Sequence, residues 1–204
     1  MKAACANWDM SSRRAHRIND AAGYMLYATD WKETSLIVQA FTRDHGSMAL
    51  VAKGAKRPYS VLRPVLSVFQ PLALSWSGAG EVKTLVRADC AGVRPLGGKA
   101  LMSAWYMNEL LLRLLPREDP HPQLYDAYDA ALEQLAGGSR AAGALRRFEW
   151  TLLTEAGYGL DEAAPDFDDL VTEPALRASL RRRLDELLAR PLQTRKVLMA
   201  LQRF

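Results

Sequence analysis

The chain has 204 residues, of which 49% are hydrophobic and 25% charged, and its formal net charge is +4. This length suggests one or two domains and permits a sizeable buried core. A mean hydropathy of −0.15 and the lack of a long apolar run exclude a membrane-spanning helix.

The N-terminal part of the chain predicts a short lead-in followed by β-structure. Residues 1–20 contain cations but no apolar region after them, so we expect a flexible lead-in and not a secretory signal. Alternating apolar residues and turn signals then predict five strands, over residues 22–29, 35–42, 47–52, 67–76 and 81–90. Five strands within about seventy residues match a small closed barrel, and the OB-fold has that strand count.

A basic segment separates the third and fourth predicted strands. Gly54 permits a sharp turn, and four cations surround it or follow it closely: Lys53, Lys56, Arg57 and Arg63. Basic loops at strand ends are where small barrels contact phosphate backbones. Because Lys and Arg are mostly exposed in any protein, a solvated loop fits the same pattern.

The charge of the whole chain is divided unevenly. Residues 1–99 hold fourteen of the 27 Lys and Arg but only seven of the 23 Asp and Glu. The first half is therefore basic and the second half mildly acidic, which favours an anionic partner for the first half.

Aromatic residues are interleaved with the cations of the first half. Aromatic rings on the face of a barrel can stack bases, and Tyr59 and Trp31 are the two that we expect to be exposed for this. Phe41, Phe69 and Trp76 lie in apolar runs and are expected in the core.

The second half predicts helices. Pro95 and Gly97–Gly98 end the β pattern. Apolar residues at helical spacing predict helices over 99–115, 124–136, 141–156 and 174–188, with a short helix from Thr194 to the end. We expect a β-domain over residues 21–92 and a helical domain over 97–204, the latter with an acidic loop at about 160–173.

No catalytic or metal-binding motif is present in the sequence. None of the three histidines lies beside a nucleophile motif, and the acids of 166–169 do not have EF-hand spacing. Cys5 and Cys90 lie far apart and outside any CxxC pair, so we expect neither a zinc site nor a disulfide framework, and a reducing cytoplasmic location. We therefore expect a protein without enzymatic activity, cofactor or metal.

Two adjacent arginines, Arg146 and Arg147, lie on the third predicted helix, in Leu145–Phe148. Arginine beside apolar surface suits a peptide that ends in a carboxylate with an aromatic residue near it. Ordinary surface charge, with pairing to Glu149 or Asp185, is the alternative.

Ordered segments along the chain resemble the bacterial RecO family of recombination mediators. The similar segments are Glu33–Leu36, Phe41–Gly46, Val51–Arg57, Phe69–Leu72, Gly80–Leu85, Tyr106–Leu111, Leu145–Glu149, Gly157–Gly159 and Pro191–Arg195. The resemblance implies an N-terminal OB-fold followed by a helical domain. It also implies binding to single- and double-stranded DNA, annealing of complementary strands, and contact with RecR and with the acidic C-terminal tail of single-strand-binding protein. Together these activities help to load RecA at gaps.

We assign phosphate contacts to the four cations of the basic segment, and we add Lys32 and the exposed aromatic Tyr59 to the DNA-binding residues. With the resemblance, we assign the acidic tail to Arg146 and Arg147. A helical adaptor whose barrel binds no nucleic acid is the alternative function.

Two features depart from the family pattern. Many members carry a zinc-binding cysteine cluster after the Gly-Tyr-Gly segment, but Asp161–Asp169 has no cysteine, so no zinc is expected. That region is also shorter than in typical members. Thr29–Asp30 stands where many members have Arg-Pro, although Lys32 is close by.

Overall fold

A computed structural model describes residues 17–138, 141–159, 163–194 and 197. Within these residues five strands precede four helices: β1 (Arg17–Trp31), β2 (Ser35–Thr42), β3 (Gly46–Ala52), β4 (Pro71–Ser77), β5 (Val82–Cys90), α1 (Gly98–Leu114), α2 (Pro122–Ala136), α3 (Ala141–Glu155) and α4 (Glu173–Leu187). Most of the expected lead-in and nearly all of the expected final helix lie outside the described residues.

The five strands form a closed barrel in the order β1-β2-β3-β5-β4, and β4 pairs back with β1. β3 and β5 run parallel, whereas the other neighbouring strands run antiparallel. The predicted five-stranded barrel is therefore confirmed. β1 begins earlier than the sequence pattern predicts because its first half pairs with β4 and its second half with β2.

Alternation along the strands fills the barrel with apolar side chains. Met48, Leu50 and Ala52 of β3 are each at most 2% exposed and belong to the interior cluster. Trp76 of β4 lies in the same cluster. The barrel interior is therefore a packed core, and the buried ring of Trp76 is not accessible to a ligand.

A β-bulge in β1 decides which side chains of this strand face the helices. Met25 pairs with Ala40 and Tyr27 with Gln39, so that Leu26 is an extra residue in β1. Met25 and Ala28 both pack in the barrel interior, although they are three positions apart. Leu26 instead joins a second core that the barrel shares with the helices.

This second core joins the barrel to the helical part of the chain. Tyr24 and Phe41 of the barrel contact the rings of Tyr125 and Tyr128 of α2, with ring centroids 5.1–6.1 Å apart. Buried Asn108 of α1 donates a hydrogen bond of 2.8 Å to the Leu26 carbonyl at the bulge, which gives this polar side chain a partner in the core. The two parts therefore fold as one packed body.

The β2–β3 turn also touches the loop between α1 and α2. Gly46 has φ +68°, and a Cβ atom at this position would lie 2.1 Å from the Asp119 carbonyl oxygen. The Glu118 amide donates to the Ser47 carbonyl at 2.8 Å beside it. Gly46 is required both by its backbone conformation and by this close approach.

We expect Gly46→Ala to lower the free energy of unfolding by about 2–4 kcal/mol, the sum of left-handed backbone strain and overpacking. Urea unfolding measures this change. The matched control is Gly138→Ala, where φ is +71° but no atom lies within 4 Å of the added Cβ. A loss at Gly46 no larger than that at Gly138 would contradict the steric argument.

Glu109 and Arg113 of α1 hold the segment after α4, and Arg113 donates hydrogen bonds to the Arg190 and Pro191 carbonyls. Glu109 accepts hydrogen bonds from the Gln193 amide at 2.7 Å and from the Thr194 amide and hydroxyl at 2.9 and 2.7 Å. Arg113 pairs with the same carboxylate. Burial acts to raise the pKa of Glu109, but these hydrogen bonds and Arg113 outweigh it and lower the pKa.

Candidate nucleic-acid interface

The connector between β3 and β4, residues 53–70, is here called the basic connector. Its first part is a series of tight turns, with hydrogen bonds from Arg57 N to the Gly54 carbonyl, from Ser60 N to the Arg57 carbonyl and from Arg63 N to the Ser60 carbonyl, at 3.0–3.3 Å. Gly54 has φ +68°, which begins the first turn. The turns give the connector a defined backbone.

Apolar side chains anchor the basic connector to the barrel interior. Ala55 is 1% exposed and Leu62 is 7% exposed, and both pack in the barrel interior cluster. The residues between them point outward, and Tyr59 is 99% exposed. The predicted phosphate-binding cations, Lys53, Lys56, Arg57 and Arg63, are all exposed.

The β1–β2 turn lies against the start of the basic connector. The Lys56 amide donates to the Thr34 carbonyl at 2.9 Å, and the Gly54 amide to the Ser35 hydroxyl at 3.4 Å. Lys32, in this turn, is exposed and has φ +53°. The structure therefore brings Lys32 to the same end of the barrel as the connector.

Lys56 pairs with Asp30 of β1, with 2.7 Å between Nζ and the carboxylate. Asp30 is 75% exposed, so this is a surface ion pair that contributes little to stability and that a phosphate can replace. Lys32, Lys53, Arg57 and Arg63 make no ion pair with the part of the chain that the structure describes. Five cations against two acids, Asp30 and Glu33, therefore give this end of the barrel a net positive charge.

The two arginines of α3 have different surroundings. Arg146 is 6% exposed and pairs with Glu149 at 2.8 Å and with Glu173 of α4 at 3.6 Å. Burial raises the pKa of Glu149, while Arg146 and the Tyr106 hydroxyl act to lower it. The pairing with Glu149 that the sequence left open is confirmed, and Arg146 is not accessible to a peptide in this conformation.

Arg147 is the accessible member of the pair. Its side chain is 51% exposed, lies 3.7 Å from the exposed carboxylate of Asp168, and packs over the ring of Phe167 at 5.3 Å. The assignment of an acidic tail to these arginines stays a prediction, and the geometry directs it to Arg147.

Sequence reasoning missed the polar junction between the barrel and α2. Asp129 of α2 accepts hydrogen bonds from the Tyr24 hydroxyl and from Arg94, and Arg94 also donates to the Tyr24 oxygen at 3.1 Å. Burial, followed by the hydrogen bond to Asp129, raises the pKa of Tyr24. No local pattern marks these three residues, because they are 35 to 105 positions apart along the chain.

Taken together, these features define a class: a five-stranded barrel with a basic end, fused through a shared core to a helical unit. The chain matches the family model described as Recombination protein O N terminal over residues 18–94 and that described as Recombination protein O C terminal over residues 97–164. The chain belongs to the Recombination protein O family.

Several curated relatives are called DNA repair protein RecO. The protein from Aromatoleum aromaticum is 57% identical over 145 residues, which is 71% of this chain and 60% of the relative. Those from Cupriavidus pinatubonensis and Ralstonia nicotianae are 54% and 53% identical, over 73% and 72% of this chain and 52% and 55% of the relatives. The chain therefore spans roughly half to three fifths of the length of these relatives. Among the helices that the structure describes, none has the length and apolarity that a membrane crossing needs.

Proposed function

We propose that this chain is a non-enzymatic DNA repair and recombination mediator that binds single- and double-stranded DNA and anneals complementary strands. The observation that carries the proposal is the cluster of exposed cations on the basic connector and the adjoining β1–β2 turn. Phosphates bind to such a cluster by charge, without reading base sequence. The family membership and the relatives' name support the link to DNA repair.

Annealing of complementary strands requires no catalytic chemistry from the protein. Base pairing itself drives the reaction, and the protein needs only to screen phosphate repulsion and to hold two strands near one another. A cationic surface on a rigid barrel supplies both. We propose further that the chain acts with RecR and single-strand-binding protein to promote loading of RecA at gaps.

The proposal is tested with the 204-residue chain and labelled oligonucleotides. Fluorescence anisotropy over a salt series should show binding to single and double strands that weakens steeply as salt rises. Mixing two complementary labelled strands should show energy transfer that develops faster with the protein than without it. Negligible DNA affinity at moderate salt would refute the proposal and favour a protein-binding adaptor.

The proposed contact with the acidic tail of single-strand-binding protein makes a separate prediction. Arg147→Glu should weaken binding of a tail peptide by at least about ten-fold, because it replaces attraction by repulsion next to Asp168. Affinity for naked DNA should change much less. Arg181→Glu, an exposed arginine of α4, is the matched control. Equal effects of the two substitutions on peptide binding would exclude a specific role for Arg147.

A further inference from the structure

The outer side of β1 carries two exposed aromatic rings beyond its bulge. Tyr27 is 46% exposed and Trp31 is 44% exposed, whereas Ala28 between them packs in the barrel interior. On the other side of the bulge, Tyr24 and Leu26 are fully buried in the core shared with the helices. The helices therefore cover the ring of Tyr24, while the described part of the chain leaves the rings of Tyr27 and Trp31 about half exposed.

The two rings lie in a row of uncharged side chains. Three cross-strand pairs form what is here called the aromatic strip: Tyr27 with Gln39, Thr29 with Ile37, and Trp31 with Ser35. All six side chains are at least partly accessible, and none is charged. Aromatic rings on an uncharged surface with amide and hydroxyl groups suit the flat face of a nucleic-acid base. Stacking needs an accessible π-face, and on this surface it does not require the desolvation of a charged group.

The aromatic strip leads directly to the cations. Lys32 follows Trp31 in the β1–β2 turn, and Lys53 follows Ala52, which pairs with Leu36 at the same end of the sheet. Asp30, the nearest acid on β1, is already paired with Lys56. A DNA strand whose phosphates contact these cations would therefore have its bases within reach of the aromatic strip.

We propose that Tyr27 and Trp31 stack unpaired bases, so that this end of the barrel binds single-stranded DNA in preference to duplex. The inference rests on the proposed function and adds the site that distinguishes the two forms of DNA. Four residues of extended strand place the two rings about 13 Å apart, so each ring engages a different base. In a duplex the bases are stacked on one another and paired, and their faces are not available to the rings.

Abasic DNA tests this site without changing the charge of the ligand. Labelled oligothymidylate and an abasic strand of equal length are titrated by anisotropy at one salt concentration. The unsubstituted chain should bind oligothymidylate at least about ten-fold more tightly than the abasic strand. The double variant Tyr27→Leu, Trp31→Leu should lose that difference, with abasic and duplex affinity retained.

A second variant separates stacking from folding. Tyr27→Phe with Trp31→Phe keeps two aromatic rings and should retain the preference for bases, and thermal unfolding of both variants should match that of the unsubstituted chain. Equal binding of the two strands by the unsubstituted chain, or a base preference that survives in the leucine variant, would overturn the inference while leaving the proposed function intact. If the unsubstituted chain binds neither strand, both this inference and the proposed function are wrong.

Discussion

Replacing Lys53, Arg57 and Arg63 together by Ala should weaken DNA binding by at least about ten-fold at moderate salt and flatten its salt dependence. These three exposed cations have no ion-pair partner in the described part of the chain, so each is free to neutralise a phosphate. Each lost phosphate contact should reduce the slope of log K against log salt by roughly one. Lys56 is left in place because it pairs with Asp30. Anisotropy over a salt series measures both quantities.

A matched variant controls for net charge in this experiment. Arg181, Arg182 and Arg190 are exposed residues of the helical part, and replacing them by Ala removes the same charge far along the chain from the connector. This control should change the slope much less than the connector variant does. If both variants lower affinity and slope equally, then DNA responds to overall charge, and the basic connector is not the binding site.

Asp129→Ala should lower the free energy of unfolding by about 2–3 kcal/mol. The substitution leaves Arg94, whose side chain is 16% exposed, without its carboxylate, and removes the acceptor of the buried Tyr24 hydroxyl. The value is smaller than the loss of about 3–5 kcal/mol for a fully buried pair because Asp129 keeps 36% of its side chain exposed. Urea unfolding followed by helical circular dichroism measures the loss.

Asp126→Ala is the control for this junction. Asp126 lies one turn earlier on α2 and forms a bidentate ion pair with Arg43, with both N–O distances at 2.9 Å. Both side chains are more than 40% exposed. Arg43 lowers the pKa of Asp126, so what this pair adds to stability is present above the unfolded pKa of the carboxyl and disappears as the pH falls through the lowered value. At neutral pH its removal should cost much less than the removal of Asp129. Equal losses would show that the Asp129 junction behaves as a surface pair.

The strands and helices were largely predictable from local pattern. The β2–β3 hairpin follows from two alternating runs around a turn that ends in Gly46, and the structure places that glycine at positive φ. The helices α1 to α4 begin and end within two residues of their predicted bounds. Phe41, Phe69 and Trp76 are buried, as their apolar runs indicate. Periodicity and turn chemistry are short-range properties, so the chain itself carries them.

The accessibility of each candidate binding residue needed the tertiary structure. Arg146 and Arg147 are neighbours of the same type, yet packing of α4 buries the first against Glu173 and leaves the second exposed. Tyr24 and Tyr27 are separated by two residues, but the bulge and α2 bury one ring and leave the other open. Sequence alone determined the barrel, the helices and the stretch of chain rich in cations. Which of those side chains face solvent was decided by contacts between residues far apart in the chain, which no local pattern records.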